Sequence, residues 1–230
     1  MSEATTRRLT GAAGIGFVAL FVVAYLLAGS LPTDDSSGQA ILSYVSGNHT
    51  RVLASMYVLG LALAIGLCFL TGLRRLLVPA DSGLEVLGTL GLVGGVVWVT
   101  LTYVAGVFPL ALAFRPGGVD PAVARLLWDA FDLAAGATGF ATAVNVVPFA
   151  VLILVTGRLP RWLGWAGLVV AAAHLVGGGS FMRSGPLSPA VMGGFIAPAL
   201  YFLWTLGVSA PLVRRGARPV RVAPAASADD

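Results

Sequence analysis

The sequence predicts an all-α fold, a polytopic membrane bundle of six transmembrane helices, and three observations support this prediction. Hydrophobic residues make up 57% of the 230 positions and charged residues only 10%, whereas soluble chains carry about 25% charge. The apolar residues fall into six separate runs of a length that suits a bilayer core about 30 Å thick. The basic residues lie mainly at the ends of these runs, as expected of a multi-pass protein.

The six predicted spans are separated by short polar or charged segments. In chain order they cover residues 11–31, 52–73, 84–107, 120–156, 163–179 and 190–213. Residues 1–216 therefore form one predicted transmembrane domain, and residues 217–230, rich in Ala and Pro, form a predicted disordered cytoplasmic tail. An alternative interpretation makes the first run a signal peptide cleaved near Ala28. The length of this run and the five spans that follow favour an uncleaved helix.

The fourth segment is the longest, and it holds most of the polar residues that stand out from the apolar runs. Asp120 is a good N-cap residue and Pro121 a good first helical residue, and nothing forces an end before Gly157. At about 1.5 Å per residue such a helix is roughly 55 Å long, which exceeds the thickness of a bilayer core. Its first turns, with Asp129 and Asp132, are therefore expected to stand outside the core.

The arginines indicate which way the chain crosses the membrane. With six spans, ten fall on one side: Arg7, Arg8, Arg74, Arg75, Arg158, Arg161, Arg214, Arg215, Arg218 and Arg221. The other side receives Arg51, Arg115, Arg125 and Arg183. Because basic residues are enriched on the cytoplasmic side, this asymmetry predicts a multi-pass plasma-membrane protein with both termini in the cytoplasm. Topology thus explains the pI of about 9.8, and no nucleic-acid partner is predicted.

A faint internal repeat relates the odd-numbered spans. Each begins with a Gly-x-x-Gly pattern, starting at Gly11, Gly88 and Gly164, so that the intervals are 77 and 76 residues. A shift of 77 residues also aligns Pro32 with Pro109. This spacing predicts three related helical hairpins as pseudo-repeats. The alternative interpretation is close helix packing through small residues, with no common origin.

Two carboxylates on the fourth segment are candidate substrate- or ion-binding residues. Asp129 and Asp132 are three positions apart and share a helix face with Gly136 and Gly139. Both can therefore line an outward-facing vestibule that binds a cation or takes up protons. The alternative places both at the water interface, with Asp129 paired to Arg125 one turn earlier.

Three further polar residues complete the candidate binding site: Asn145, His174 and Arg183. Asn145 lies one turn before Pro148 and is expected to bond a freed backbone group or a neighbouring helix, with substrate binding as the alternative. His174 is interpreted either as a neutral residue bonded across a helix interface or as a proton relay, metal ligand or haem ligand. A haem shared with His49 is rejected, because the two differ in height by about half of the bilayer core. Arg183 either attracts the carboxylates of the fourth segment or is an exposed loop residue.

The composition excludes several kinds of chemistry. All fourteen basic residues are arginines, so a cofactor that needs a lysine Schiff base is excluded. Cys68 is the only cysteine, which rules out an intramolecular disulfide and a thiolate metal cluster. No metal-hydrolase, nucleophile-elbow or phosphate-loop motif occurs. We therefore predict no catalytic residue, no metal and no cofactor.

Two stretches carry a resemblance to a known family: FLTGLRRLL at residues 69–77 and TGRLPRWLGWAGLVV at residues 156–170. The polar loop before SYVSGNHTRVLASMY and the Trp204 of the last span extend it. Over residues 10–213 the chain resembles a family of small six-span membrane proteins, common in actinobacteria, that is defined as a domain of unknown function. The resemblance implies an integral membrane location and six helices. It supplies no catalytic residue and no substrate.

These observations favour a non-enzymatic integral membrane protein, a binding or accessory subunit that works with partners in the same membrane. Membrane lipids, another membrane protein or a second copy of the chain are the expected partners. A small transporter or channel, with Asp129, Asp132, Asn145 and His174 along its path, is the first alternative. An intramembrane enzyme or redox protein is the second, and the sparse polar residues make it the weakest.

Overall fold

The computed structural model describes residues 2–33, 35–80, 82–115, 117–178 and 196–215, and these form helices and short turns without strands. Six helices follow in order: α1 (Glu3–Ala28), α2 (Gly38–Leu77), α3 (Glu85–Phe114), α4 (Pro121–Thr156), α5 (Arg161–Gly178) and α6 (Ala197–Arg215). Among the described residues, α1 to α4 are long and apolar enough to cross a membrane. The predicted all-α bundle is therefore confirmed. The predicted tail and the start of the predicted sixth span lie outside the described residues.

The helices form a ring that closes where the first meets the last. α1 packs against α2 and α6, α5 packs against α4 and α6, and α2, α3 and α4 all contact one another. Gly11, near the start of α1, lies against Leu212 and Val213, near the end of α6. The described parts nearest the two termini therefore lie at the same end of the bundle.

The two ends of the bundle differ in charge. The arginine end carries Arg7, Arg8, Arg74, Arg75, Arg158, Arg161 and Arg214. At this end Arg158 Nη1 donates to the Leu76 carbonyl at 2.7 Å. The opposite end carries Arg51, Arg115 and Arg125 among the described residues. It is called the cavity end, after the cavity described in the next section. The described arginines that the sequence assigned to one side of a membrane thus gather at one end of the bundle.

The fourth helix begins and ends where the sequence predicts. The Asp120 carboxylate accepts a hydrogen bond from the backbone N–H of Ala122 at 2.8 Å, and Pro121 is the first helical residue. Gly157 ends the helix with φ at 60°, a left-handed conformation that glycine adopts without the steric cost of a Cβ. Between these caps α4 runs for 36 residues, through Pro148. Local end signals were sufficient to define this helix.

The third helix is longer than predicted at the cavity end. It continues through Pro109 to Phe114, so the predicted end of the third span at residue 107 is wrong. Pro109 has no N–H to donate to the Ala105 carbonyl, which weakens the helix locally. Leu112 and Ala113 are nevertheless almost completely buried, and burial of their apolar surface stabilises the additional turns.

The second helix also begins earlier than its predicted span. It starts at Gly38 and bends at Asn48, whose φ of −126° is not helical. The segment before this bend lies over the end of α1, where Tyr44 Oη donates to the Ala28 carbonyl at 2.7 Å. This bond satisfies one of the carbonyls that a helix end leaves without a partner. Much of the polar connection predicted between the first two spans is therefore helical and packed.

The buried hydrophobic residues form two separate clusters. The main core fills the arginine half of the bundle and includes Phe17, Phe69, Leu73, Phe149, Leu152 and Leu163. The cap cluster lies at the cavity end and contains Ile41, Val45, Val52, Leu112, Ala113, Ala124 and Trp128. Only α2, α3 and α4 contribute these cap residues, so the cap cluster depends on the extra turns of α2 and α3.

Glycines bring the helices of the main core close together. A Cβ added to Gly94 of α3 would lie 2.6 Å from the backbone nitrogen of Asn145 in α4. The second glycine of each Gly-x-x-Gly lies against an aromatic ring of the following helix: Gly14 against Phe69, Gly91 against Phe149, and Gly167 against Trp204. In a membrane, helix association depends on such van der Waals contact, because lipid tails are as apolar as the helix surfaces.

We expect Gly94→Ala to lower the free energy of unfolding by about 1–3 kcal/mol, a typical cost of overpacking. The added methyl group would press on the backbone of α4, which cannot move aside as a flexible side chain can. Equilibrium unfolding in mixed detergent micelles measures the effect.

The matched control is Gly16→Ala in α1, where the added Cβ would meet only Ile65 Cγ2 at 3.8 Å. This substitution should leave the free energy of unfolding unchanged or raise it by up to about 1 kcal/mol, because alanine favours helix. Equal losses for both variants would contradict the proposed close contact between α3 and α4.

Candidate functional site

A cavity of about 580 Å³ lies between the main core and the cap cluster, and residues of all six helices line it. Trp98 and Tyr201 of the main core form part of its wall, and Val52 and Trp128 of the cap cluster form another part. Its volume is within the range of pockets that bind small molecules. The cavity therefore arises where the two hydrophobic clusters fail to meet.

Aromatic and small residues form most of the cavity wall. The rings include Phe21, Trp98, Trp128, Phe131, Tyr201 and Phe202. Alanines and glycines of α3, α4, α5 and α6 supply much of the remaining surface and leave the space open. The described wall has few polar groups that could replace the hydration of a bound molecule, so it suits a largely apolar one.

Most polar side chains in the wall already have partners within the protein. Thr102 and Thr138 donate to backbone carbonyls of their own helices at 2.8 and 2.6 Å. Tyr201 Oη donates to Asn145 Oδ1 at 3.5 Å. Because these donors are used within the protein, the side chains offer few hydrogen bonds to a bound molecule.

His174 is different, since one of its ring nitrogens has no hydrogen-bond partner among the described residues. The residue is 6% exposed and lines the cavity. Its Nδ1 lies 3.0 Å from the Val170 carbonyl. A carbonyl oxygen only accepts, so Nδ1 carries the proton and a neutral ring leaves Nε2 as an acceptor. The cavity is thus lined by a histidine whose acceptor nitrogen is not bonded by any described residue.

The structure separates the two candidate carboxylates. Asp132 lines the cavity, whereas Asp129 is not part of its wall. The Asp129 carboxylate accepts from Arg125 Nη2 at 2.5 Å, and Arg125 Nη1 donates to the Ser36 carbonyl at 2.8 Å. Asp129 therefore belongs to a surface ion pair that joins α4 to the segment before α2, as one of the two sequence interpretations had it.

Asn145 is buried at an interface of helices and does not line the cavity. It is 1% exposed, and its Nδ2 donates to the Gly91 carbonyl of α3 at 2.7 Å. With the Tyr201 bond on its other side, the amide links α3, α4 and α6. This is the interhelical bonding that the sequence favoured, and it gives both the nitrogen and the oxygen of the amide a partner.

The remaining candidates lie away from the cavity or outside the described residues. His49 is exposed and lies 3.1 Å from the Thr50 hydroxyl, and Arg183 falls in residues 179–195, which are not described. In the described ranges, no group of three or more His, Cys, Asp or Glu side chains is placed to hold a metal ion.

Sequence reasoning missed the aromatic residues of the cavity. Trp128 is 1% exposed, and its Nε1 has no hydrogen-bond partner among the described residues. Tyr201 is also buried, and its ring centroid lies 6.0 Å from that of His174. The spacing of Trp128, Asp132 and Gly139 along one face of α4 was an available signal. It was not decisive, because similar aromatic spacing occurs in lipid-facing helices.

Comparison with known proteins adds no relative. No family model, no curated protein and no solved structure matches the chain. The resemblance to a six-span membrane family therefore stays a prediction, and the function has to be argued from the geometry of the cavity.

Proposed function

We propose that the chain is a non-enzymatic integral membrane protein that binds an amphipathic small molecule in the cavity between the main core and the cap cluster. The observation that carries this proposal is an apolar cavity of about 580 Å³ inside a helical bundle. A hydrated site needs two to four polar partners for each ordered water, and most polar groups of this wall are already bonded. An alkyl or isoprenoid chain needs no such partners, so it suits the wall better than a polar solute.

The packing toward the arginine end supports binding rather than passage. Phe69, Leu73, Phe149 and Leu152 are each at most 1% exposed in that half of the bundle. A channel needs a continuous path lined by groups that replace water around the solute. Large apolar side chains fill the place where such a path would continue, so the cavity is closed on this side.

His174 defines the polar part of the ligand. Its Nε2 accepts, so the matching group on the ligand is a donor such as a hydroxyl. Asp132 contributes a second polar group to the same wall. The ligand is therefore an apolar chain that carries a hydroxyl group, which is the chemistry of fatty and isoprenoid alcohols and of acylglycerols.

A transporter is the second candidate function, because two ionisable residues, Asp132 and His174, line one cavity. Intramembrane acidic and histidine residues are typical of proton-coupled transport. Under this interpretation the described conformation is one of two, and the ligand leaves toward the arginine end in the other. A ligand that binds but is not released toward the arginine end would favour the binding proposal over transport.

We also propose that α5 and α6 cross the membrane, which makes six spans with both termini cytoplasmic in the plasma membrane. Both helices expose large apolar side chains to their surroundings, with Trp162, Trp165, Val169 and Leu203 each more than 60% exposed. Lipid tails can cover such surfaces without cost. The arginines of the arginine end support its placement in the cytoplasm through the positive-inside rule.

We further propose that the three helical hairpins are pseudo-repeats. In support, the Gly-x-x-Gly patterns of α1, α3 and α5 contact the following helix through the same kind of glycine–aromatic pair. Superposing α1–α2 on α3–α4 should bring Gly11 onto Gly88 and Gly14 onto Gly91, in keeping with the 77-residue spacing. Superposition only with these pairs out of register would make the spacing a coincidence of composition.

The binding proposal is tested with two probes, oleyl alcohol and oleyl methyl ether; a methyl group in the ether replaces the hydroxyl hydrogen and removes the donor. In lipid nanodiscs, the wild-type protein should bind the alcohol about five- to tenfold more tightly, the worth of one hydrogen bond. His174→Phe should abolish this preference while leaving ether binding in place. Native mass spectrometry measures the occupancy of each probe.

Two alanine substitutions separate the cavity from the outer surface. Ala135→Leu places three more carbons in the cavity wall and should weaken the binding of both probes. Ala172→Leu adds the same carbons to an exposed position of α5 and should change neither. Equal effects of the two variants would refute the cavity as the site, and release of probe to the arginine side would favour transport.

Topology is tested by cysteine labelling on a Cys68→Ser background. A membrane-impermeant thiol reagent applied to intact cells should modify Asp35→Cys and Ser184→Cys. It should reach Ala80→Cys and Ala217→Cys only after the membrane is opened. Labelling of position 217 in intact cells would mean that the number of spans is odd.

A further inference from the structure

We propose that the arginine end carries a second binding site, for the phosphate of an anionic ligand, held between Arg75 and Arg158. The site is a polar cavity of about 430 Å³, separate from the apolar one and independent of the function proposed for it. Three parts of the chain enclose it: the start of α1, the end of α2 with the following turn, and the connection from α4 to α5. Its wall consists of Glu3, Thr6, Arg75, Leu76, Val78, Ala80 and Arg158.

Among the described residues, positive charge exceeds negative charge in this cavity. Arg75 and Arg158 both line it, and neither has a carboxylate partner among the described residues. Glu3 is the one acidic residue that the described part of the chain places in the wall, and its Oε1 is bound to Arg7 Nη2 at 3.0 Å. Two guanidinium groups that share a cavity repel each other, and an anion between them removes this repulsion.

The geometry of Arg158 prepares it to bind such an anion. Its Nη1 is held by the Leu76 carbonyl at 2.7 Å, which fixes the guanidinium plane at the end of α2. A guanidinium carries five N–H donors, so the other donors remain available. Arg75 is exposed on the last turn of α2, and it can turn toward the same phosphate. Arginine is suited to this role because its planar donors match phosphate oxygens in pairs.

The position of the cavity favours a lipid headgroup as the source of the phosphate. It lies at the ends of α2 and α4, among the other arginines of the arginine end, where a bilayer places its headgroups. Basic pockets between transmembrane helices at this level bind acidic headgroups. Free inorganic phosphate has the same chemistry, so the two sources have to be separated by experiment.

The experiment uses the full chain in nanodiscs and counts retained lipids by native mass spectrometry. Phosphatidylglycerol should be retained in preference to phosphatidylcholine, and Arg75→Gln should lower this preference about fivefold, the worth of one arginine near an acidic headgroup. Arg158→Gln should act similarly, and the two losses should not multiply, because both side chains contact one phosphate.

The control is Arg161→Gln, which removes one exposed positive charge at the start of α5, three residues after Arg158, but no part of the cavity wall. It should leave the lipid preference unchanged. Because Arg158→Gln also removes the bond to α2, the exposed Arg75 is the decisive position. No loss with Arg75→Gln, or an equal loss with Arg161→Gln, would overturn the site.

Inorganic phosphate distinguishes the two sources. If millimolar phosphate displaces phosphatidylglycerol from the wild-type protein, and this competition disappears in Arg75→Gln, the same site accepts a soluble anion. Retention of the lipid in the presence of phosphate would identify the acidic phospholipid as the ligand.

Discussion

The close approach of α3 and α4 is the contact on which the rest of the structure depends. Gly94 lies against the backbone of α4 at Asn145, and no other residue type allows two helix backbones to come so near. This distance lets the Asn145 amide reach the Gly91 carbonyl. Inside a membrane no water is available to satisfy these groups, so packing and hydrogen bonding reinforce each other at one place.

The same contact explains why the cavity forms where it does. Near Gly94 the helices touch, and the main core is filled by large side chains such as Phe149 and Leu152. Toward the cavity end, α4 instead carries Trp128, whose ring packs on Tyr44 of α2 and on Phe131 of its own helix. The bundle is therefore closed tightly at one level and capped at another, and the space between remains open.

The polar residues of the bundle divide into two groups by their bonding. Asn145 and Thr138 have internal partners, and their burial is therefore compatible with a structural role. His174 has an acceptor nitrogen without a partner among the described residues, and Arg75 and Arg158 share a cavity in which the one described carboxylate, that of Glu3, is paired with Arg7. Because an unbalanced polar group in such surroundings is costly, these positions are where a ligand contributes most. Under the two proposals, the cavity lined by His174 takes an apolar chain, and the cavity at the arginine end takes a negative charge.

The sequence by itself determined the elements and their order. Asp120, Pro121 and Gly157 define α4 because caps act through adjacent backbone groups, and apolar run lengths identify the four span candidates confirmed among the described residues. The sequence also grouped the arginines correctly, because a chain that alternates direction leaves alternate connections at one end. Tertiary structure decided the remainder. Burial of Leu112 stabilises turns of α3 beyond its predicted end. The rotation of α4 places Asp132 in the cavity wall, whereas Asp129 pairs with Arg125. Rotation and separation of helices depend on contacts between residues far apart in the chain, such as Gly94 with Asn145, and no local pattern records them.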